Sequence, residues 1–246
     1  MCDLWQHTTL RPGPPGSIPR QISTSLRSHL GHEARHLKLY NAGSFFDAGA
    51  ISVSDYPTIA EMCQPFTRVV VESHPRLIGP RTEQFRDLLP ATTQLEVAMG
   101  LETVHPDILP RLNKGMTLED FHLAAQRLQQ MGARIRAFVL VKPPLITDDS
   151  MALDWACRSL DFAWEVGVDV VSLIPTRMGN GSMEELSRRG LFSPPSWSTV
   201  ETAFEYGLSA RKGLVLMDLW NLDPIRGSTE VRLQYARLDA RNRAQK

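Results

Sequence analysis

The chain has 246 residues and 42 % of them are hydrophobic, so it can bury the core of one large domain. Its 27 basic and 27 acidic residues cancel to a formal net charge of zero, which excludes a nucleic-acid-binding surface spread over the whole protein and leaves room only for a local basic patch. The three cysteines are too few and too far apart for a disulfide framework, and no apolar run is long enough for a transmembrane helix, so we expect a cytoplasmic protein.

Near its start the chain has a segment rich in proline and glycine, and strand-like segments follow it. Residues 11–19 predict a loop, because proline and glycine interrupt both helices and strands. Beyond this loop, short apolar runs with β-branched residues indicate strands that are buried on both faces, as in a parallel sheet. The predicted strands are 37–40, 68–72, 95–99, 134–142 and 169–174.

Helical patterns alternate with the later strands. Residues 117–131 and 153–164 each carry apolar side chains at helical spacing, and a glycine follows each segment (Gly132 and Gly167) where a helix would end. A strand–helix–strand order favours parallel pairing of the strands. The sequence therefore predicts an α/β fold.

Polar residues follow the predicted strands at their carboxyl ends. In α/β barrels this edge carries the chemistry. Taken singly, each of these residues also fits a hydrogen-bonded position at the rim, but as a set at successive strand ends they favour a site. They are Asn41, Ser44, Glu72, Ser73, Glu102, Lys142 and Asn180.

Several segments, in this order and spacing, resemble the radical SAM (S-adenosylmethionine) superfamily, and within it the archaeosine-biosynthesis proteins. The core also resembles that of the Elongator catalytic subunit, which shares the Gly-Leu-Glu and Asn-Lys-Gly signature. The segments are residues 1–5 (Met-Cys-Asp-Leu-Trp), 38–47, 100–103 (Gly-Leu-Glu-Thr), 112–115 (Leu-Asn-Lys-Gly), 142–144 (Lys-Pro-Pro) and 189–197.

This resemblance implies a fold and a division of the chain. The fold would be a partial (β/α)6 TIM-like barrel that contains all the core strands except the first. Residues 1–210 would form the radical SAM core, incomplete at its N-terminus, and residues 211–246 a C-terminal extension. Within the extension, residues 215–219 fit a last strand or a helix, and residues 232–246 fit a solvated helix.

The resemblance also implies two cofactors, a 4Fe–4S cluster and S-adenosyl-L-methionine, which the enzyme would cleave reductively at the cluster. Cys2 matches the third cysteine of the C-x3-C-x2-C cluster motif, whose first two cysteines would precede Met1. Cys63 and Cys157 both lie in predicted helices and fit buried structural thiols. We therefore expect a truncated motif that cannot hold the cluster with full ligation, and a chain that is inactive by itself.

The same resemblance suggests ligands and roles for the strand-end residues. A base in tRNA would be the substrate, as in archaeosine formation, and a partner enzyme would act in the same pathway. Lys142 and Glu102 are the predicted catalytic residues, Lys114 would meet a carboxylate or a phosphate, and Cys2 is the metal ligand. The predicted cofactor-binding residues are Asn41, Gly43, Ser44, Glu72, Ser73 and Glu102.

Two alternatives remain open at the level of sequence. One is a non-catalytic barrel remnant that binds RNA or a protein partner, which the missing cysteines favour. The other is an iron-independent lyase that forms a Schiff base through Lys142, because a lysine at a strand end beside two prolines is well positioned. An ion pair between Lys142 and a carboxylate at the rim is the structural explanation of the same residue.

Overall fold

The structure is a computed structural model, and it describes residues 11, 13–28, 34–41, 43–220 and 229–245. In chain order its elements are α1 (Ser17–Ser28), β1 (His36–Leu39), α2 (Tyr56–Cys63), β2 (Arg68–Glu72), α3 (Pro80–Leu88), β3 (Gln94–Glu102), α4 (Ile108–Arg111), α5 (Leu118–Gln130), β4 (Arg134–Val141), α6 (Asp149–Glu165), β5 (Val170–Pro175), α7 (Ser182–Arg188), α8 (Trp197–Ala210), β6 (Leu214–Met217) and α9 (Thr229–Ala244). Short 3-10 helices lie at Val53–Asp55 and Pro75–Leu77. Within this described part, no helix combines the length and the apolar character needed to cross a membrane.

The chain forms two compact units. Of the described residues, those from 11 to 99 and from 119 to 135 belong to the first unit, and those from 100 to 118 and from 136 to 245 belong to the second. Each unit contains parallel strands that neighbour one another in chain order, β1-β2-β3 in the first and β4-β5-β6 in the second.

In the first unit, the strands are buried by their own apolar side chains and by a cluster of aromatic rings. Residues 69–71 of β2 are three valines, each at most 1 % exposed. Phe45 contacts Tyr56 of α2 in a stacked geometry at 5.8 Å and Phe85 of α3 at 4.7 Å between ring centroids. Phe46 packs edge-on against Phe45 at 5.2 Å. The loop that follows β1 is thereby fixed to two helices by buried aromatic contacts.

In the second unit, β4 and β5 are paired from Arg136 and Val170 onward, and β5 and β6 from Val170 and Leu214 onward. Strand β5 is buried on both faces, as a strand in a parallel sheet must be when helices cover both sides. Helix α8 lies close to β6, where Gly207 provides the space: a Cβ atom there would come within 3.0 Å of Val215.

The outer edge of β6 is covered by helix α9 through two side-chain amides. Asn242 Nδ2 donates to the carbonyl of Met217 and Asn242 Oδ1 accepts from its N–H, both at 2.9 Å. Gln245 forms the same pair of bonds with the N–H and carbonyl of Val215. The two amides replace the next strand of a sheet, and they satisfy backbone groups that an open edge would leave unpaired.

The predicted α/β class is confirmed, and the succession of parallel strands and helices is that of a partial (β/α)6 barrel. The five predicted strands correspond to β1–β5 with bounds shifted by a few residues at most, and residues 214–217 form a sixth strand where the sequence left strand or helix open. The prediction of a loop over residues 11–19 is wrong in its last part, because α1 begins at Ser17. Pro19 lies in the first helical turn, where proline is tolerated since the N–H it lacks has no helical partner. The C-terminal helix is docked on β6, not merely solvated, and Leu238 is 1 % exposed.

Candidate functional site

The loop after β1 is tied to the carboxyl end of β2 in the first unit. Two hydrogen bonds make the connection: the N–H of Phe45 donates to the carbonyl of Glu72 at 2.8 Å, and the N–H of His74 donates to the Ser44 hydroxyl at 2.9 Å. Phe45 is 1 % exposed, so a buried ring holds the loop at the point where it bonds to β2. Ser44 therefore fixes the loop by accepting a backbone hydrogen bond.

Beside these bonds, Asn41 carries an amide oxygen with no partner. Asn41 Oδ1 is buried and accepts no hydrogen bond within the described part of the chain. A buried acceptor without a donor costs free energy of about 1–3 kcal/mol, which a ligand with an N–H or O–H group would recover. At Gly43, an added Cβ would come no closer than 3.8 Å to any atom, the nearest being Asn41 Nδ2. A methyl group at position 43 would therefore be in ordinary van der Waals contact with the amide nitrogen of Asn41.

Ser73 and Glu72 complete this group of strand-end residues in the first unit. Ser73 is 2 % exposed; its N–H donates to the Ala98 carbonyl at 3.0 Å and its hydroxyl donates to the His74 carbonyl at 3.3 Å. The first of these bonds links the end of β2 to β3. The carboxylate of Glu72 is half-buried. In the first unit, the loop that contains Asn41, Gly43 and Ser44 is thus bonded to the end of β2 that contains Glu72 and Ser73, and the binding roles predicted for these residues stay predictions.

In the second unit, the residues of the Gly-Leu-Glu and Asn-Lys-Gly signature form one local structure. Lys114 forms an ion pair with Glu102 in which both side chains are mostly buried. A Cβ at position 100 would overlap Lys114 Nζ and Glu102 Oε1, so Gly100 leaves the space that the ion pair fills. Asn113 and Gly115 both have positive φ, 55° and 68°, and they form the tight turn that presents Lys114.

Lys142 follows β4 and is held in the second unit by three oxygen atoms. Its ammonium group contacts Asp149 Oδ1 at 3.0 Å, Ser193 Oγ at 2.9 Å and the Pro194 carbonyl at 3.5 Å, and its side chain is 4 % exposed. Ser193 and Pro194 accept hydrogen bonds from the ammonium group, and Asp149 pairs with its charge. The ion-pair interpretation of Lys142 describes this geometry.

The contact with Lys142 affects the pKa of the Asp149 carboxylate. Burial by itself would raise the pKa of Asp149, but the hydrogen bond and the charge of Lys142, together with hydrogen bonds from Ser196, outweigh burial and lower the pKa below its ordinary value. Asp149 is therefore ionised at neutral pH. It joins the start of α6 to the end of β4 and to the segment that contains Ser193 and Ser196.

The two described cysteines do not fit a metal or cluster site. Burial raises the pKa of Cys63 to about 12, and burial together with the charges of Asp161 and Asp154 raises the pKa of Cys157 to about 11. Cluster ligation requires thiolates, which both environments disfavour. Within the described ranges, no three His, Cys, Asp or Glu side chains converge as a metal site. Cys2, the predicted metal ligand, lies outside the described residues.

Some polar residues at or near the strand ends were not predicted as site residues from the sequence. Asp149 and Ser193 hold Lys142, but nothing in their local sequence marks them, because their partner is distant along the chain. Arg177 and Asp218 follow β5 and β6 and form an ion pair at 2.9 Å. Arg177 could have been predicted, since it lies just beyond the carboxyl end of β5, which was itself predicted. Asn180, which was predicted as a strand-end residue, accepts a hydrogen bond from the N–H of Met183 at the start of α7.

The succession of parallel strands and helices makes the chain an α/β protein of the partial (β/α)6 class. No protein-family model matches it. The chain is 31 % identical over 172 residues to archaeosine synthase subunit beta of Thermococcus kodakarensis, covering 67 % of this chain and 52 % of that protein. It is 28 % identical over 187 residues to archaeosine synthase subunit beta of Methanosarcina acetivorans, covering 74 % of this chain and 54 % of that protein.

The chain is therefore related to archaeosine synthase subunit beta, and the resemblance inferred from its motifs is confirmed. It spans about half the length of the curated relatives it matches. Among solved structures, the radical S-adenosylmethionine methyltransferase TsrM from Kitasatospora setae, determined with cobalamin and a 4Fe-4S cluster bound, aligns with a TM-score of 0.43 and 16 % identity, covering 68 % of this chain and 30 % of that one.

Proposed function

We propose that this chain provides the S-adenosylmethionine-binding barrel of a radical SAM enzyme that modifies a base in tRNA during archaeosine formation in the cytoplasm. The relation to archaeosine synthase subunit beta supports the reaction class. Because those relatives are named as subunits, a second subunit or partner enzyme is part of the proposal.

The observation that carries S-adenosylmethionine binding is the buried amide oxygen of Asn41, which has no hydrogen-bond partner among the described residues. The ligand has an ammonium group and ribose hydroxyls, which are the donors that a buried amide oxygen needs. In this proposal Asn41 accepts from one of these groups, while the bonds from Phe45 and His74 hold the loop in place. The site would need no rearrangement of the loop.

Glu102 and Lys142 have different roles in the proposal. Glu102 would bind a hydroxyl or amino group of a ligand while it stays paired with Lys114. Lys142 would orient the segment around Ser193 through its contacts, and reach the substrate only if those contacts break. The described residues do not fit the iron–sulfur cluster, because no three His, Cys, Asp or Glu side chains among them converge. We therefore assign no step to the cluster, and Cys2 stays a proposed ligand.

The geometry does not favour the Schiff-base lyase. A lysine that attacks a carbonyl must be a free amine with room for the substrate. The side chain of Lys142 is 4 % exposed and its Nζ lies 3.0 Å from Asp149 Oδ1, so a carbonyl substrate could not approach it in this structure.

The proposal is tested by titration calorimetry of S-adenosylmethionine into the native chain and into Asn41→Ala. We expect the native chain to bind and Asn41→Ala to bind about 2- to 10-fold more weakly, which corresponds to the loss of one hydrogen bond. Gln64→Ala is the matched control, because Gln64 is an exposed amide in the same unit at the end of α2. Absence of binding by the native chain, or equal losses in both variants, would contradict the proposal.

A further inference from the structure

A second group of residues lies beyond the ends of β5 and β6, where one carboxylate holds two different side chains. Asp218 Oδ2 accepts from Arg177 Nη2 at 2.9 Å, and Asp218 Oδ1 accepts from the N–H of Trp220 at 3.0 Å. The N–H of Asp218 donates to the Leu173 carbonyl of β5 at 2.8 Å, which fixes the carboxylate relative to the sheet. The guanidinium of Arg177 and the backbone of Trp220 are thus anchored to the two oxygens of one group.

Arg177 has hydrogen-bonding capacity that the described protein does not use. Its Nη1 atom is buried and has no acceptor among the described residues, while Nη2 is bound to Asp218. A charged donor kept from water without a partner is costly, and an anionic oxygen is the acceptor that a guanidinium binds most strongly. Phosphate fits this requirement.

Trp220 presents an aromatic surface to solvent. Its side chain is 73 % exposed, the most exposed of the large apolar side chains in the described part of the chain. An indole that is held by its backbone at a strand end and left uncovered provides a flat surface on which a nucleobase can stack.

We infer that Arg177 and Trp220 bind one nucleotide of an RNA strand, with its phosphate on Arg177 and its base on Trp220. The charge and the stacking surface are the two elements by which proteins hold unpaired nucleotides, and Asp218 fixes them as a pair. The inference rests on the proposed function for its choice of RNA as the source of the nucleotide. It assigns to the ends of β5 and β6 a role separate from that of Asn41.

The test is fluorescence anisotropy with a labelled single-stranded RNA oligonucleotide and with an unmodified tRNA transcript at low salt. Trp220→Ala is expected to weaken binding about 5- to 150-fold, and Trp220→Phe is expected to keep most of it, because one stacked base contributes about 1–3 kcal/mol. Arg177→Gln is expected to weaken binding and to lower the slope of log Kd against log salt by about 0.7, the value for one phosphate contact on a single strand.

Two surface variants in the same unit serve as controls. Leu233→Ala removes an apolar side chain that is 57 % exposed on α9, and Arg188→Gln removes an arginine that is 73 % exposed in its side chain and paired with Glu185. Both are expected to bind RNA like the native chain. Since Arg177→Gln also breaks the contact with Asp218, the exposed Trp220 variants keep the test valid if that protein fails to fold.

The inference is overturned if the native chain binds no RNA, or if the Trp220 and Arg177 variants bind RNA as tightly as the native chain. It is also overturned if S-adenosylmethionine displaces the RNA by competing at Trp220, or if Trp220→Ala changes only the oligomeric mass. Free nucleoside monophosphates, tested as competitors, should bind more weakly than the RNA; equal affinity would overturn the choice of RNA. Titration of S-adenosylmethionine in parallel separates the two proposals, because RNA binding that depends on Trp220 without S-adenosylmethionine binding would contradict only the proposed function.

Discussion

At the scale of single residues, two glycines in the motifs have different physical roles. Gly100 is required by its surroundings, since a side chain there would displace the Glu102–Lys114 ion pair. At Gly43 a Cβ would meet no atom within 3.8 Å, so the described protein has no steric need for glycine. In the proposed function, a ligand that approaches the backbone closely would give the glycine at position 43 a role. The sequence motifs contain both glycines and do not distinguish them. The contacts in the structure show a packing role for Gly100, whereas the binding role of Gly43 is proposed.

The pair of Lys142 and Asp149 predicts how stability depends on pH. Because the pKa of Asp149 is lower in the folded chain, its contribution to stability is complete above its unfolded pKa of about 3.9 and is lost as the pH falls through the folded value. In thermal melts recorded from about pH 6 to about pH 3, the native melting temperature should fall more steeply than that of Asp149→Asn. At neutral pH the variant should melt a few degrees lower, because Lys142 loses its counter-charge.

Asp154→Asn is the matched control for this measurement. Asp154 lies on the same helix and is paired with Arg158, but its side chain is 53 % exposed, so the pair contributes little. Its acid-dependent loss of melting temperature should equal that of the native chain. If Asp149→Asn lost stability with acid as steeply as the native protein, the stabilising role of the Lys142–Asp149 pair would be wrong.

At the scale of elements, the positions of the strands were predictable from the sequence, whereas the packing of the C-terminal helix was not. Strands β2 and β5 were predictable because runs of consecutive β-branched residues favour a buried strand. The ends of helices α5 and α6 were predictable from the glycines that follow them. Helix α9 was predicted as solvated because it is rich in charge. Its role depends on Asn242 and Gln245, whose amides could not be distinguished from ordinary surface amides without the position of β6.

Removal of one of these amides tests the edge-covering role of α9. Asn242→Ala should lower the free energy of unfolding by about 1–3 kcal/mol, because the N–H and carbonyl of Met217 lose their partners. A loss of this size lowers the melting temperature by about 2–4 °C per kcal/mol. Size-exclusion chromatography with light scattering should also show more self-association, since the edge of β6 becomes available for pairing.

Arg243→Ala, on the same helix, changes a side chain that is 72 % exposed and forms an ion pair with Asp239 of α9, and should leave the melting temperature within about 1 °C of the native value. If Asn242→Ala behaved like Arg243→Ala, the amide pairing would have no part in holding the helix on β6.

At the scale of the whole molecule, the fold class was predictable and the chemistry only in part. Alternating strands and helices fixed the α/β class, and the position of residues at strand ends selected Asn41, Ser44 and Glu72 before their contacts were known. The unpaired oxygen of Asn41, the closed surroundings of Lys142 and the pairing of Arg177 with Asp218 could not be predicted, because each depends on contacts between distant parts of the chain.

The most direct test of the central claim is hydrogen–deuterium exchange of the native chain with and without S-adenosylmethionine. We predict protection of amides in residues 43–46 and 72–78, the loop after β1 and the end of β2. The opposite end of the first unit provides an internal control, where residues 86–95 line a surface cavity at the start of β3 that should exchange at the same rate in both conditions. Protection confined to residues 86–95, or no protection at saturating ligand, would contradict the claim that the strand ends of this chain bind S-adenosylmethionine.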